Sequence, residues 1–196
     1  MTGNTGQPKA VPWAITFADL SLLLLCFFVM MAALPRKTAE ARPAATTSAD
    51  EAATLLRQRL AEGIEQGWIQ FDQDGSRIHL KFGTADGFDV GSDQPTPRTL
   101  ALIDTLADTL KHGDAHVTVA GHTDDMPIST NRFRDNWDLS TARAVSVIRE
   151  LVMTHGIDPQ RLEARGYADT RPLARNDTQQ ARARNRRIEI EIAWGR

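Results

Sequence analysis

An apolar run near the N-terminus is broken by a single carboxylate. It reads Pro12-Trp13-Ala14-Ile15-Thr16-Phe17-Ala18-Asp19-Leu20-Ser21, continues through four leucines and Cys26, and stays apolar to position 34. About 20 mostly apolar residues, rising about 1.5 Å each, cross a hydrocarbon layer of about 30 Å. The run therefore predicts one membrane-spanning helix over 12–34. A cleaved signal peptide ending near Met31-Ala32-Ala33 is the rival, but the run is too long for one and an acid inside it is out of place. A carboxylate near the middle of a membrane helix costs about 2.5–3.5 kcal/mol on insertion scales and is kept where it has a role. Asp19 is thus the expected site for a proton or cation.

The rest of the chain bounds what this helix can be attached to. Of 196 residues 24% are charged and the net charge is −2, so a general nucleic-acid binder is disfavoured. Cys26 is the only cysteine and lies inside the apolar run, which excludes an intrachain disulfide. Residues 35–47, rich in Ala, Thr and Pro, read as a linker. Ser48-Ala49-Asp50-Glu51 fits a capping box, and Ala52, Leu55, Leu56, Leu60 and Ile64 recur at helical spacing until Gly67. Residues 67–196 remain for one modest core.

Within that region apolar alternation around Asp74-Gly75 predicts a hairpin of strands at 68–71 and 77–82. Thr96-Pro97 predicts the start of a helix running to Lys111, followed by a strand over 116–121. A helix from Leu139 or Ser140 to His155, a short strand at 161–165, a helix start at Asp177 and an alternating strand at 187–192 complete the pattern. The alternation of strands and helices predicts an α/β sandwich with helices packed on one face of a mixed β-sheet.

Gly121-His122-Thr123-Asp124-Asp125 falls where a strand ends, and Leu139-Ser140-Thr141-Ala142-Arg143 opens the following helix. An acid and an arginine facing each other across a groove suit a zwitterion, the carboxylate taking an ammonium and the guanidinium a carboxylate. A structural Asp124–Arg143 ion pair is the alternative that spacing leaves open. His122 with Asp124 and Asp125 lacks a third spaced ligand for a metal, and no nucleophile–base pair points to an enzyme. The arginines at 182, 184, 186 and 187 read as a solvated or ligand-rim cluster.

These residues, with Gly166-Tyr167-Ala168, Arg171-Pro172, Asn176 and Asn185-Arg186-Arg187-Ile188-Glu189-Ile190, resemble the OmpA-type peptidoglycan-binding domain over roughly 82–192. The resemblance implies that Asp124 and Arg143 hold the two ends of diaminopimelate in the peptidoglycan stem peptide, with Thr123, Leu139, Asn176 and Arg187 contributing. Independently, Pro12-Trp13, Thr16-Phe17-Ala18-Asp19-Leu20 and Phe27-Phe28-Val29 resemble the membrane helix of MotB and PomB, the B subunits of flagellar stators. Asp125, Pro127-Ile128 and Asn136-Trp137 resemble the stator version of the domain.

The two resemblances together imply a homodimer inside a ring of MotA/PomA-type A subunits, bound to peptidoglycan and carrying H+ or Na+ with no cofactor. They place a tail, 1–11, in the cytoplasm and the domain in the periplasm, although Lys9 before the helix and Arg36 and Lys37 after it weakly favour the reverse. Thr16, Asp19, Leu23 and Cys26 fall at three-four-three spacing and share one helix face, the expected ion path. The helix over 50–66 is expected to act either as a plug of the channel or as a spacer packed on the domain. A passive tether and a stator homologue of a non-flagellar machine are the alternatives.

Overall fold

The computed structural model describes residues 12–33, 43–89 and 91–195. The expected tail, 1–11, and the linker residues 34–42 lie outside the described residues. The chain divides into two units between Arg42 and Pro43. In the first, α1 spans Pro12–Ala33, 22 residues or about 33 Å. All its described side chains, Trp13 and 16–30, are exposed, large apolar ones among them. Thr16 Oγ1 donates to the carbonyl of Trp13 at 2.9 Å, so this hydroxyl already bonds its own helix. Among the described residues no helix is long and apolar enough to cross a membrane.

The second unit is built on five strands, β1 (Ile69–Asp74), β2 (Arg77–Gly83), β3 (His116–Gly121), β4 (Leu162–Gly166) and β5 (Arg187–Ala193). Their order is β1-β2-β5-β3-β4, with β3 and β4 parallel and the other pairs antiparallel, so the sheet is mixed as expected. Alternation gives it two unlike faces. Ile78, Leu80, Phe82, Val117, Val119, Ile188, Ile190 and Ile192 are buried on one face, while His79, Lys81, Thr118, Glu189 and Glu191 are half-exposed on the other.

The helices are α2 (Pro43–Arg59), α3 (Ala61–Glu65), α4 (Thr84–Gly87), α5 (Pro97–Leu110), α6 (Asn136–Met153) and α7 (Gln179–Asn185). Leu102, Ile103, Leu106 and Leu110 of α5, and Ala144, Val147 and Leu151 of α6, join the buried strand residues in one core. Ala49, Ala53 and Leu56 of α2 belong to that same core. The helix expected after the linker therefore packs on the domain, and the compact unit begins at Pro43 rather than at 67. It also starts before the expected cap at Ser48: proline is tolerated in a first turn, and Ala44 and Ala45 are strong helix formers.

Other boundaries shift for local reasons. The hairpin turn is Gly75-Ser76, closed by Asp74 opposite Arg77, with Gly75 at φ +55°. Helix α5 starts as expected, Thr96 accepting from the Thr99 N–H. Helix α6 starts three residues before Leu139, because the Asp135 carboxylate accepts from the Asp138 N–H at 2.9 Å. The cap of α7 is Thr178, not Asp177.

Candidate functional site

Two glycines bring α6 against the ends of β3 and β4. A β-carbon on Gly121 would lie 2.0 Å from the Ser140 carbonyl oxygen, and one on Gly166 would lie 2.0 Å from Thr141 Oγ1. Only the missing side chains permit this approach. Ser140, fully buried, accepts from the Ala168 N–H at 3.1 Å, and the Thr123 N–H donates to the Ala168 carbonyl at 2.8 Å. The first turns of α6 are thereby tied to the 121–124 and 166–168 segments, the two motifs singled out in the sequence.

Asp124 follows β3 and is buried, 6% exposed. Its Oδ2 accepts from Arg186 Nη1 at 2.6 Å and its Oδ1 from the Met126 N–H at 3.2 Å. Asn136 Nδ2 holds the backbone of this turn through the carbonyls of Asp124 and Met126, at 3.3 and 3.0 Å. Arg143 is also buried, 5% exposed, with Nε donating to the Ser92 carbonyl at 2.8 Å and its guanidinium 5.4 Å from the Phe88 ring centre. Its Nη atoms make no hydrogen bond among the described residues. Burial, and secondarily the charge of Arg186, lowers its pKa to about 10, against the opposite pull of Asp93 and Asp124. It stays a cation at neutral pH.

The direct partner of Asp124 is therefore Arg186 rather than Arg143, so the structural Asp124–Arg143 pair held open by spacing does not form among the described residues. Arg186 links the two groups, bonded to one and acting on the charge of the other. Arg187 was expected to contribute beside Arg143, whereas its neighbour Arg186 makes the contact with Asp124, and the strand period explains the difference. Arg187 opens β5 on the same face as Glu189; its Nε donates to Glu189 Oε1 at 2.7 Å, Nη1 to the Asn185 carbonyl and Nη2 to the Arg171 carbonyl. Arg186 lies just outside the strand and turns to Asp124.

The remaining expected residues fall into supporting places. Leu139 is buried in the first turn of α6. Asn176 accepts through Oδ1 from Asn185 Nδ2 at 2.7 Å and through its carbonyl from Arg182 Nη1 at 2.7 Å, so it organises the loop before α7. Thr123 Oγ1 is buried with no hydrogen-bond partner among the described residues, and so are both ring nitrogens of His122. His122 stacks on Tyr167 at 5.2 Å, and the Arg171 guanidinium covers the other ring at 3.7 Å. Burial, then the charge of Arg187, lowers the His122 pKa to about 4, outweighing the attraction of Glu189. No group of three His, Cys, Asp or Glu suited to a metal occurs among the described residues.

Residues 87–186, about half of the chain and including Asp124, Arg143 and Arg186, match the OmpA family. The chain belongs to the OmpA family. Residues 3–50 match a second family, described as membrane MotB of the proton-channel complex MotA/MotB, and include Asp19. An OmpA-family domain behind a MotB-type segment makes the chain a MotB-type stator B subunit with an OmpA-like domain. It is 24% identical to Motility protein B of Helicobacter pylori (strain J99), over 95% of this chain and 87% of that protein. Among solved structures, it is similar to a cell wall anchor of the T6SS from Pseudomonas aeruginosa, at 34% identity and TM-score 0.66, covering 71% of this chain and 97% of that one. A putative MotB-like protein from Desulfovibrio vulgaris gives 30% identity and TM-score 0.67, covering 76% and 96%.

Proposed function

We propose that this chain is an ion-conducting stator subunit of the bacterial flagellar motor. In this reading α1 crosses the inner membrane with the N-terminus cytoplasmic, and the OmpA-family domain anchors it to peptidoglycan in the periplasm. The observation that carries the anchoring half is a buried acid and a buried cation joined through Arg186, the cation having donors to spare. Asp124 retains acceptor sites for the ammonium of diaminopimelate, and the Nη atoms of Arg143, with Arg186 beside them, suit its carboxylate. Thr123 Oγ1 adds a buried hydroxyl in need of a partner.

The conducting half rests on Asp19 in a helix that presents Thr16, Asp19, Leu23 and Cys26 on one face. Protonation or cation binding removes most of the penalty for a carboxylate in hydrocarbon, so Asp19 alternates between loaded and empty states. Each ion crossing the membrane yields about 2.3 kcal/mol per 100 mV. A second copy of this chain and a MotA/PomA-type A subunit complete the path, and H+ or Na+ is the cargo. Asp19→Asn is expected to abolish ion flux and swimming while the subunit still assembles with its A partner; a variant that swims normally overturns the proposal.

A second reading has its own support. The likeness to the cell wall anchor of the T6SS points to wall anchoring in a machine other than the flagellum, as a non-flagellar ion-driven complex or a passive tether. Loss of swimming on deletion of this chain favours the flagellar reading.

A further inference from the structure

A segment distant in sequence holds Arg143. Its Nε donates to the carbonyl of Ser92, which lies on the connection between α4 and α5. That connection is fastened at its ends, where Phe88 pairs with Pro95 and the Thr96 N–H donates to the Gly87 carbonyl at 3.1 Å. Around Ser92 its bonds are local: the Ser92 N–H donates to the Asp89 carbonyl and the Gln94 N–H to Ser92 Oγ, both at 3.0 Å. The tie to the rest of the domain comes from the next residue, whose Oδ2 accepts from Arg132 Nη2 at 2.6 Å. Asp93 is buried and its Oδ1 has no partner among the described residues, so among them Arg132 alone bonds this carboxylate.

Arg132 is itself held by a tight turn. Thr130 Oγ1 accepts from the N–H groups of Arg132 and Phe133 at 3.2 and 3.0 Å, the Thr130 N–H donates to the Phe133 carbonyl at 2.9 Å, and Phe133 is buried. This turn belongs to the stretch that starts at Asp124 and ends at Asn136, whose side chain bonds the Asp124 and Met126 carbonyls. The Asp93–Arg132 bond therefore closes a ring of contacts. It runs from Arg143 through Ser92 and Asp93 to Arg132, on to Asp124, and through Asn136 back to α6.

The pair adds little stability of its own, because the Arg132 side chain is 57% exposed and water screens it. What it controls is where the carboxylate rests. Without Arg132 the buried charge is uncompensated and turns towards water, taking the Ser92 carbonyl with it. Neutral Asn at 93 stays in place at less cost, although the charge that favours the Arg143 cation is then lost.

We propose that Asp93 and Arg132 are positioning residues of the candidate groove: their ion pair fixes the Ser92 carbonyl and so the direction in which Arg143 offers its Nη donors. For its binding readout the proposal rests on the stem-peptide reading of Asp124 and Arg143.

The test follows the full chain in detergent by two readouts. One is affinity for a stem tripeptide ending in diaminopimelate; the other is solvent exchange of the Arg143 Nε–H by NMR, its signal assigned by its absence from Arg143→Ala. Arg132→Gln is expected to weaken the tripeptide about tenfold and to speed the exchange, while Tm changes little. Arg132→Lys keeps the charge and should recover most of the affinity. Asp93→Asn should cost about threefold, and the double variant Asp93→Asn/Arg132→Gln should match it rather than multiply the two losses, since no buried charge is left uncompensated. Unchanged affinity in Arg132→Gln, an Arg132→Lys chain as weak as Arg132→Gln, or losses that multiply in the double variant overturns the proposal. An unmodified chain that does not bind the tripeptide overturns the stem-peptide reading instead; the exchange rate then decides whether the pair fixes Arg143, and equal rates in Arg132→Gln and the unmodified chain overturn that.

Discussion

Gly121→Ala tests whether the close approach of α6 to β3 builds the groove. The new methyl would sit 2.0 Å from the Ser140 carbonyl oxygen and 2.8 Å from its carbonyl carbon, both backbone atoms that cannot rotate away. An ordinary carbon–oxygen contact of about 3.2 Å requires α6 to retreat by roughly 1.2 Å, on the order of the strain that overpacked cores show. Such overpacking costs about 1–3 kcal/mol, which for a domain of this size lowers Tm by roughly 2–12 °C. Arg143 lies three residues beyond Ser140 on the same helix, so the retreat also carries its guanidinium away from Asp124. Affinity for peptidoglycan should fall about tenfold, equivalent to about 1.4 kcal/mol. Thermal unfolding by circular dichroism and sedimentation with wall sacculi measure the two effects. Gly75→Ala is the control: it strains a turn at φ +55° but meets nothing within 4 Å, so it should cost about 1 kcal/mol and spare binding. A Gly121→Ala chain with unchanged Tm and unchanged binding refutes the reasoning.

Two further outcomes follow from the packing and the electrostatics. Leu56→Ala, at a fully buried position of α2, should cost about 2–5 kcal/mol, read as a lowered midpoint in urea; a neutral effect would show that α2 is no part of the core. His122 is neutral in the fold, with its pKa lowered to about 4 from an ordinary 6.5. Between those values the unfolded chain binds more protons than the folded one, so stability declines as pH falls from 6.5 towards 4. Tm measured across that window should drop more steeply for the unmodified chain than for His122→Gln, and parallel curves would refute the assignment.

The sheet was legible because its strands alternate cleanly, with Ile188, Ile190 and Ile192 inward and Arg187, Glu189 and Glu191 on the other face. Thr96-Pro97 likewise carries its helix start in two adjacent residues. Sequence could not place α2, because an Ala- and Thr-rich stretch looks the same as a linker until tertiary contacts at Ala49, Ala53 and Leu56 decide it. At the candidate site, Asp124 and Arg143 each carried a sequence signal, but the contact of Asp124 with Arg186 did not. Which of two adjacent arginines meets Asp124 depends on where β5 begins, and a one-residue shift reverses the faces. Asp93 carried no local signal at all; it becomes visible only when Arg132, 39 positions away, folds back onto it.

Binding of Arg143→Ala to purified peptidoglycan tests the wall-anchoring claim most directly. Arg143 is buried, so circular dichroism and thermal unfolding must be followed on the same full-length protein in detergent. The prediction is a folded chain, with near-native secondary structure and a cooperative transition, that no longer sediments with sacculi retaining the unmodified protein. A folded Arg143→Ala chain that still sediments, or one whose domain collapses, contradicts it.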